Sequence, residues 1–294
     1  MKKQHKDIEA IIPPPPPHMV GDGFRVHNFF PSNPSIGLTG MSPFFLLDYG
    51  SKWTFPPSEK PRGVGVHPHR GFETVTIAYH GRVAHHDSSG NSGVIGEGDV
   101  QWMTAGAGVL HKEYHEKEFS RTGGVMQMAQ IWVNLPAKHK MTPPRYQAIV
   151  KSSMGKYKTG DGSGFIEVIA GEYNGVKGPA GTFTPLNVFN ARLKKHSSAG
   201  FTFGAGTNTG MLIVEGEARF NRDKSVPSDH FVLFGRPGEE VHIEAVDNCI
   251  VLILNGEPIN EPVVSYGPFV MNTQEEIKQA YEDFYSGKFG YLED

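Results

Sequence analysis

Cysteine is almost absent from the sequence, which contains a single one, Cys249. A lone cysteine cannot form an intramolecular disulfide, so nothing in the chain requires an oxidising compartment. The residue begins the apolar run Cys249–Leu254, a pattern typical of a buried strand. We therefore expect the thiol to pack in a core and not to react.

A basic excess and a long apolar segment are also lacking. Lys and Arg number 28 against 31 Asp and Glu, for a net charge of −3, so direct nucleic-acid binding is disfavoured. No stretch approaches the roughly 18 apolar residues of a membrane-spanning helix. Residues 1–12 are polar and lack the apolar centre of a secretory signal. We expect a cytoplasmic protein without a membrane partner.

Glycine and proline, by contrast, are abundant, with 36 Gly and 22 Pro among 294 residues. This composition indicates many turns between short strands, so we predict an all-β protein. The length suits two tandem barrels of roughly 110–140 residues, each with its own core.

One helix is clearly predicted, near the C-terminus. Thr273 and Glu276 have the spacing of a capping box. An apolar stripe with helical spacing follows and is expected to dock on a barrel; it comprises Ile277, Ala280, Tyr281, Phe284 and Tyr285.

The chain is predicted to divide into three parts. Residues 1–23 form an N-terminal arm, residues 24–150 the first barrel, and residues 151–294 the second barrel with the helix at its end. The arm contains five consecutive prolines, Pro13–Pro17, which favour an extended conformation lying across a barrel. Recognition of these prolines by another protein is the less favoured alternative.

Two similar turns indicate that the second barrel repeats the first. They are centred on Gly81 and Gly216, an offset of roughly 130 residues. In the first half we interpret Glu73–Ala84 as a hairpin turning at Gly81, and His85–Gly93 as a loop. On this interpretation four histidines are exposed or lie in loops: His80, His85, His86 and His115.

Two short motifs contain the candidate metal ligands, His67-Pro68-His69 and His111-Lys112-Glu113. Residues two apart in a strand point to the same face. Each motif can therefore direct two donors into one barrel, and neighbouring strands would bring all four together. A single pair of this kind is weak evidence, whereas two pairs with identical spacing are much stronger.

The donor set predicts the type of metal. Three imidazoles and one carboxylate suit a divalent transition metal, and the lack of thiolate argues against a structural zinc site. Four protein ligands leave two octahedral positions open, which favours Fe(II) and dioxygen chemistry. Mn, Ni, Cu and Zn remain alternatives.

Glu73 competes for the carboxylate position. It is an even number of residues from His67 and His69 and would therefore lie on the same face of an unbroken strand. On such a strand, however, it would lie about 13 Å beyond His69. Only a bend at Gly71 would bring it to the metal. We therefore rank Glu73 as a residue supporting the ligands, or as an alternative ligand or base.

Several longer motifs resemble the pirin family of cupins and together cover about residues 24–290. They are SPFFLLDY, HPHRGFETVT, HDSSGNSGVI, GDVQWMTAGAGVLHKE, IWVNLPAKHKM and NEPVVSYGPFVMNT. The resemblance implies two cupin barrels of jelly-roll type with iron in the N-terminal one. It implies four ligands, in agreement with the spacing: His67, His69, His111 and Glu113.

The resemblance also implies two kinds of activity. Some pirins are similar to quercetin 2,3-dioxygenases, which predicts a flavonol or another small aromatic substrate, with O2 as co-substrate. Glu113 would then be a ligand that also accepts the proton of the substrate hydroxyl. Other pirins act as iron-dependent cofactors of transcription regulators or bind metabolic enzymes, which would make this chain a non-enzymatic protein-binding cofactor.

The second half departs from the metal motif. Aligning Gly216 with Gly81 puts Thr202 and Gly204 at the positions of the first two histidines. His242-Ile243-Glu244 repeats only the second motif. Two donors would bind a metal weakly, so we expect a second barrel without metal and one ion per chain.

Overall fold

Residues 4–293 are described by a computed structural model of the protein. The first half contains helix α1, Lys117–Thr122, and strands β1 Ile8–Ile12, β2 His18–Val20, β3 Phe24–Phe30, β4 Phe44–Phe55, β5 Gly63–His69, β6 Phe72–His80, β7 Val83–Asp87, β8 Ser92–Ile95, β9 Val100–Thr104, β10 Val109–His115, β11 Gly124–Asn134 and β12 Arg145–Ile149. Short 3-10 turns occupy Ala137–His139 and Lys151–Ser153.

The second half contains helix α2, Gln274–Tyr285, and strands β13 Gly155–Lys158, β14 Gly164–Ala170, β15 Glu172–Tyr173, β16 Val176–Lys177, β17 Leu186–Leu193, β18 Ser198–Thr202, β19 Asn208–Glu215, β20 Glu217–Phe220, β21 Lys224–Pro227, β22 Phe231–Phe234, β23 Glu240–Ala245, β24 Cys249–Gly256, β25 Val264–Tyr266 and β26 Phe269–Met271. The all-β prediction is confirmed.

The first barrel is built from two antiparallel sheets. One sheet has the order β12-β9-β6-β11-β4-β3-β2, and the other has the order β5-β10-β7-β8. These strands lie in a compact unit formed by residues 16–30, 44–151 and 259–294. The candidate metal ligands are on β5 and β10, the first two strands of the smaller sheet.

The second barrel has the same strand arrangement. Its sheets have the orders β1-β22-β19-β24-β17-β14-β13 and β18-β23-β20-β21, in a unit that includes residues 4–15, 31–43 and 152–258. The order of its smaller sheet matches that of the first barrel strand for strand, which supports the duplication. Its interior is apolar, with Phe189, Phe201, Phe220 and Phe234 among the buried residues of one large cluster.

The expected division, with an arm before residue 24 and the terminal helix in the second barrel, differs from the structure at both ends of the chain. Strand β1 pairs with β22 of the second barrel, where the buried Lys6 ammonium donates to three backbone carbonyls. Helix α2 belongs to the unit of the first barrel. The proline run joins β1 to β2.

Helix α2 has the predicted capping box, with Thr273 accepting from the Glu276 amide. Ile277 and Ala280 are buried in a cluster that also contains Leu110 of β10. Tyr285, placed in the same stripe from the sequence, is instead 78% exposed. The helix is held to the first barrel because its apolar face covers the outer side of a strand that carries candidate ligands.

The predicted hairpin from residue 73 to 84 is wrong. Strand β6 pairs with β9 and β11, whereas β7 pairs with β8 and β10 in the other sheet. Gly81 therefore turns the chain from one sheet into the other, and its φ of +86° is a conformation that favours glycine. Because β7 runs to Asp87 and β8 starts at Ser92, most of the expected loop is strand.

No helix within residues 4–293 has the length and apolarity needed to cross a membrane.

Candidate metal centre

Three histidines of the first barrel converge on one point. Strands β5 and β10 are antiparallel neighbours, and His67 lies directly opposite His111. The donor atoms of His67, His69 and His111 all lie within 4.8 Å of one another. The ring centroid of His111 is 4.2 Å from that of His67 and 4.6 Å from that of His69. The spacing argument expected these three rings and Glu113 to converge, and the assignment of the four residues as metal ligands stays a prediction.

Backbone carbonyls orient two of the rings. The Nδ1–H of His67 donates to the Gly65 carbonyl at 2.8 Å, and that of His69 faces the Pro268 carbonyl at 3.4 Å. A carbonyl only accepts, so Nδ1 must bear the proton and Nε2 keeps its lone pair. Hydrogen bonding at the second ring nitrogen is the usual way in which proteins orient metal-binding histidines.

His111 is buried, and neither ring nitrogen has a hydrogen-bond partner among the described residues. An unsatisfied buried polar group requires an explanation. Binding of a metal ion by one of the ring nitrogens is one of the few explanations available.

Burial keeps the three rings neutral. Desolvation lowers the pKa of His67 and lowers those of His69 and His111 well below the usual value. The proximity of the rings to one another lowers the pKa of His69 and His111 further. Neutral imidazole is the form that binds metals, so the cluster already has the protonation state that a metal ligand requires.

Glu113, the predicted fourth ligand, is buried. It is 3% exposed, accepts from the Thr76 hydroxyl at 3.2 Å and accepts from the Gln130 amide at 2.7 Å. Burial raises its pKa, although the two hydrogen bonds partly offset that effect. The three-histidine cluster does not include it, so its role as fourth ligand stays a prediction.

Glu73 lies on the opposite face of β6 from the site. Thr76 contacts Glu113, and residues three apart in a strand point to opposite faces. The bend expected at Gly71 is present, with a φ of +88°, but it leads the chain into the other sheet. Glu73 accepts from Thr104 at 2.7 Å, and burial raises its pKa to about 7. The structure therefore gives no support to Glu73 as a ligand.

An aromatic wall flanks the histidines. The rings of Phe72 and Trp132 lie 5.0 Å and 5.2 Å from that of His69. They stack on each other at 4.2 Å, and Phe45 stacks on Trp132 at 6.3 Å. Phe72 is fully buried and stacks on Trp132, which is partly exposed, so Trp132 offers the apolar surface that a bound aromatic molecule would meet.

Two of the four histidines assigned to loops or to the surface are in fact buried. His115 donates from Nε2 to the Gly23 carbonyl at 2.7 Å. His85 is 1% exposed and packs its ring 4.9 Å from that of Tyr146. The alternation of Val83, His85 and Asp87 along a strand was the signal that could have revealed His85, and interpreting the segment as a loop concealed it.

The second barrel brings no equivalent group together within the described residues. Val241 and Ile243 face its apolar core, so the alternating His242 and Glu244 point away from that core. Its interior is filled by apolar side chains where the first barrel has polar ones.

The three histidines fit a divalent transition metal. Their rings are neutral, two have Nε2 directed away from a carbonyl-bound Nδ1, and the third has no other partner among residues 4–293. The single cysteine of the sequence, Cys249, is buried in the apolar cluster of the second barrel.

Comparison with known proteins identifies the family. A Pirin family model matches residues 23–133, and a model described as the Pirin C-terminal cupin domain matches residues 188–290. A relative from Pseudomonas aeruginosa, named "Putative quercetin 2,3-dioxygenase", is 46% identical over 272 residues, covering 92% of this chain and 94% of that one. A pirin-like protein from Solanum lycopersicum is 39% identical over 278 residues, covering 92% and 89%.

Solved structures with the same fold include members of this family. A quercetin 2,3-dioxygenase from Acinetobacter baumannii has a TM-score of 0.93 at 45% identity and covers 99% of this chain and 100% of that one. A bacterial pirin from Escherichia coli in complex with nickel(II) shares the fold, with a TM-score of 0.66 at 19% identity, covering 85% and 99%. The matching family models, the identity to relatives over most of their length and the duplicated barrels show that the chain belongs to the pirin family.

Proposed function

We propose that the protein is a metal-dependent dioxygenase that opens a flavonol such as quercetin with O2. The observation that carries this proposal is the convergence of three neutral histidines beside a buried carboxylate and an aromatic wall. The relative from Pseudomonas aeruginosa and the structure from Acinetobacter baumannii, whose names give this activity, support it.

We propose Fe(II) as the metal and His67, His69, His111 and Glu113 as its ligands. Imidazole and carboxylate donors with open positions suit iron and dioxygen chemistry, while nickel, manganese, copper and zinc accept similar donors. A bound ion would act as a Lewis acid toward the substrate oxygen and supply the dioxygen chemistry.

The side chains around the metal have separate tasks. Trp132, on which the buried Phe72 stacks, holds an aromatic ring of the substrate and excludes water from it. Glu113 accepts the proton of the substrate hydroxyl on a carboxylate oxygen, and burial raises its pKa, which makes it a stronger base than an exposed carboxylate. Thr76 and Gln130 keep that carboxylate pointed into the barrel.

The test is quercetin turnover by protein loaded with Fe(II) under air, followed as loss of the quercetin absorbance band with carbon monoxide trapped as product. His111→Ala should abolish turnover because it removes a ligand. His242→Ala should retain it because that histidine faces away from the second core. Equal turnover in His111→Ala would show that free iron is responsible. No turnover in iron-loaded wild type would favour the non-enzymatic, protein-binding role.

A further inference from the structure

Two buried polar side chains near the metal centre have no hydrogen-bond partner within residues 4–293. Both ring nitrogens of His85 are unpaired, as are the amide nitrogen and oxygen of Gln101. Each side chain is 1% exposed. Buried polar atoms are normally paired, and four unpaired ones cost stability unless something else pairs with them.

Strand pairing places both residues around Glu113. His85 lies opposite Glu113 in the β7–β10 pair. Gln101 lies opposite Thr76 in the β6–β9 pair, and the Thr76 hydroxyl donates to Glu113. Directly opposed residues share one face of a sheet. The two unpaired side chains therefore approach the carboxylate from different sheets of the same barrel.

A glycine and a tyrosine complete this region. The ring of Tyr146 lies 4.9 Å from that of His85. A Cβ at Gly93 would come within 3.0 Å of His85 Cε1 and 3.2 Å of the Tyr146 hydroxyl. A side chain at position 93 would have to displace one of them, so the glycine leaves both rings in place.

The chemistry of these groups selects a class of ligand. Neutral imidazole offers one donor and one acceptor, and the glutamine amide offers two donors and one acceptor. Neither His85 nor Gln101 is a lysine or arginine that could bind a carboxylate or phosphate, and the carboxylates of Glu113 and Asp87 on the same pair of strands would repel one. A neutral molecule with several hydroxyl groups fits.

We infer that His85 and Gln101 bind the phenolic hydroxyl groups of the substrate that do not contact the metal. The metal and Glu113 would hold one edge of the substrate, the aromatic wall its faces, and this polar pair its other oxygens. The inference rests on the proposed function, since it names how a flavonol is held at the same site.

Two flavonols separate this role from a structural one. Quercetin carries four hydroxyl groups besides the one next to its carbonyl, and 3-hydroxyflavone carries none of them. Binding of each is measured without O2 to metal-loaded wild type, His85→Phe and Gln101→Leu, by the change in flavonol absorbance. His86→Phe is the matched control, because His86 is the next residue of β7, is half-buried and contacts the Tyr114 hydroxyl at 2.8 Å. Elemental analysis gives the metal content of each variant.

We expect His85→Phe and Gln101→Leu each to weaken quercetin binding about tenfold or more. Metal content and 3-hydroxyflavone binding should stay unchanged, and His86→Phe should bind quercetin as the wild type does.

Unchanged quercetin binding in both variants would mean that the pair holds ordered water only and would overturn the inference, leaving the proposed function intact. An equal loss for both flavonols would assign the residues a structural role and also overturn it. Binding with the expected pattern but without turnover in air would defeat the proposed dioxygenase and leave the inference standing. No quercetin binding by wild type would overturn both.

Discussion

His67 and His111 lie directly opposite each other on paired antiparallel strands, with their ring centroids 4.2 Å apart. Opposed residues share one face, so this pairing directs both rings into the first barrel, where His69 joins them two residues along β5.

Loss of one of these rings should remove the metal. His67→Ala and His111→Ala are each expected to reduce bound metal from one equivalent per chain to near zero, because the two remaining imidazoles and the carboxylate hold a divalent ion more weakly than the full set of four. Elemental analysis after dialysis measures this, with His242→Ala as the control. Two equivalents in wild type, or an undiminished equivalent in both ligand variants, would reject a single site in the first barrel.

Glu113→Gln should lower metal affinity by about 10-fold or more and reduce activity further. The amide keeps the size of the side chain but loses the charge and the strong acceptor that a metal requires. Metal titration followed by activity at saturating metal separates the two effects. Glu73→Gln is the comparison and should leave both unchanged, because Glu73 faces away from the site. A larger loss in Glu73→Gln would reverse the assignment of the two carboxylates.

Glu73 should instead affect stability in a pH-dependent way. Its folded pKa of about 7 lies above the ordinary value of 4.5, so the folded state binds the proton more tightly than the unfolded state. Wild-type stability therefore falls relative to Glu73→Gln as pH rises from about 4.5 to 7, by up to about 3 kcal/mol. Denaturant unfolding of both proteins at pH 5 and pH 8 measures the difference. A constant difference across this range would contradict the raised pKa.

The C-terminal segment should support the ligand strands. The Arg70 guanidinium, directly after β5, donates to Asp283 of α2 at 2.9 Å, and the two side chains are only 4% and 9% exposed. Arg70→Met removes one of three side-chain partners of that carboxylate, which keeps Lys288 at 2.6 Å and Gln279 at 2.9 Å. We therefore expect a loss of about 2 kcal/mol of stability and weaker metal binding. Arg121→Met breaks an exposed pair with Glu118 and should change neither unfolding nor metal titration. Equal metal affinity in Arg70→Met and wild type would show that α2 does not position the ligands.

The sequence could predict the features that depend on local spacing. Two motifs with ligands two residues apart predicted the histidine cluster, and the spacing of Thr273 and Glu276 predicted the start of α2. Arg70 and Asp283 are 213 positions apart, so no local pattern could have placed α2 on the first barrel. His85 was missed for a different reason. Interpreting the segment as a polar loop concealed the alternation of Val83, His85 and Asp87, and the pairing of β7 with β10 shows that His85 faces inward.

The most direct test of the metal centre is a crystal structure of iron-loaded protein with anomalous diffraction data measured at the iron absorption edge. We predict one anomalous peak per chain, about 2.0–2.2 Å from Nε2 of His67, His69 and His111, with a Glu113 carboxylate oxygen as the fourth protein ligand. A peak bound by Glu73, a peak in the second barrel, or no peak among the three histidines would contradict the account.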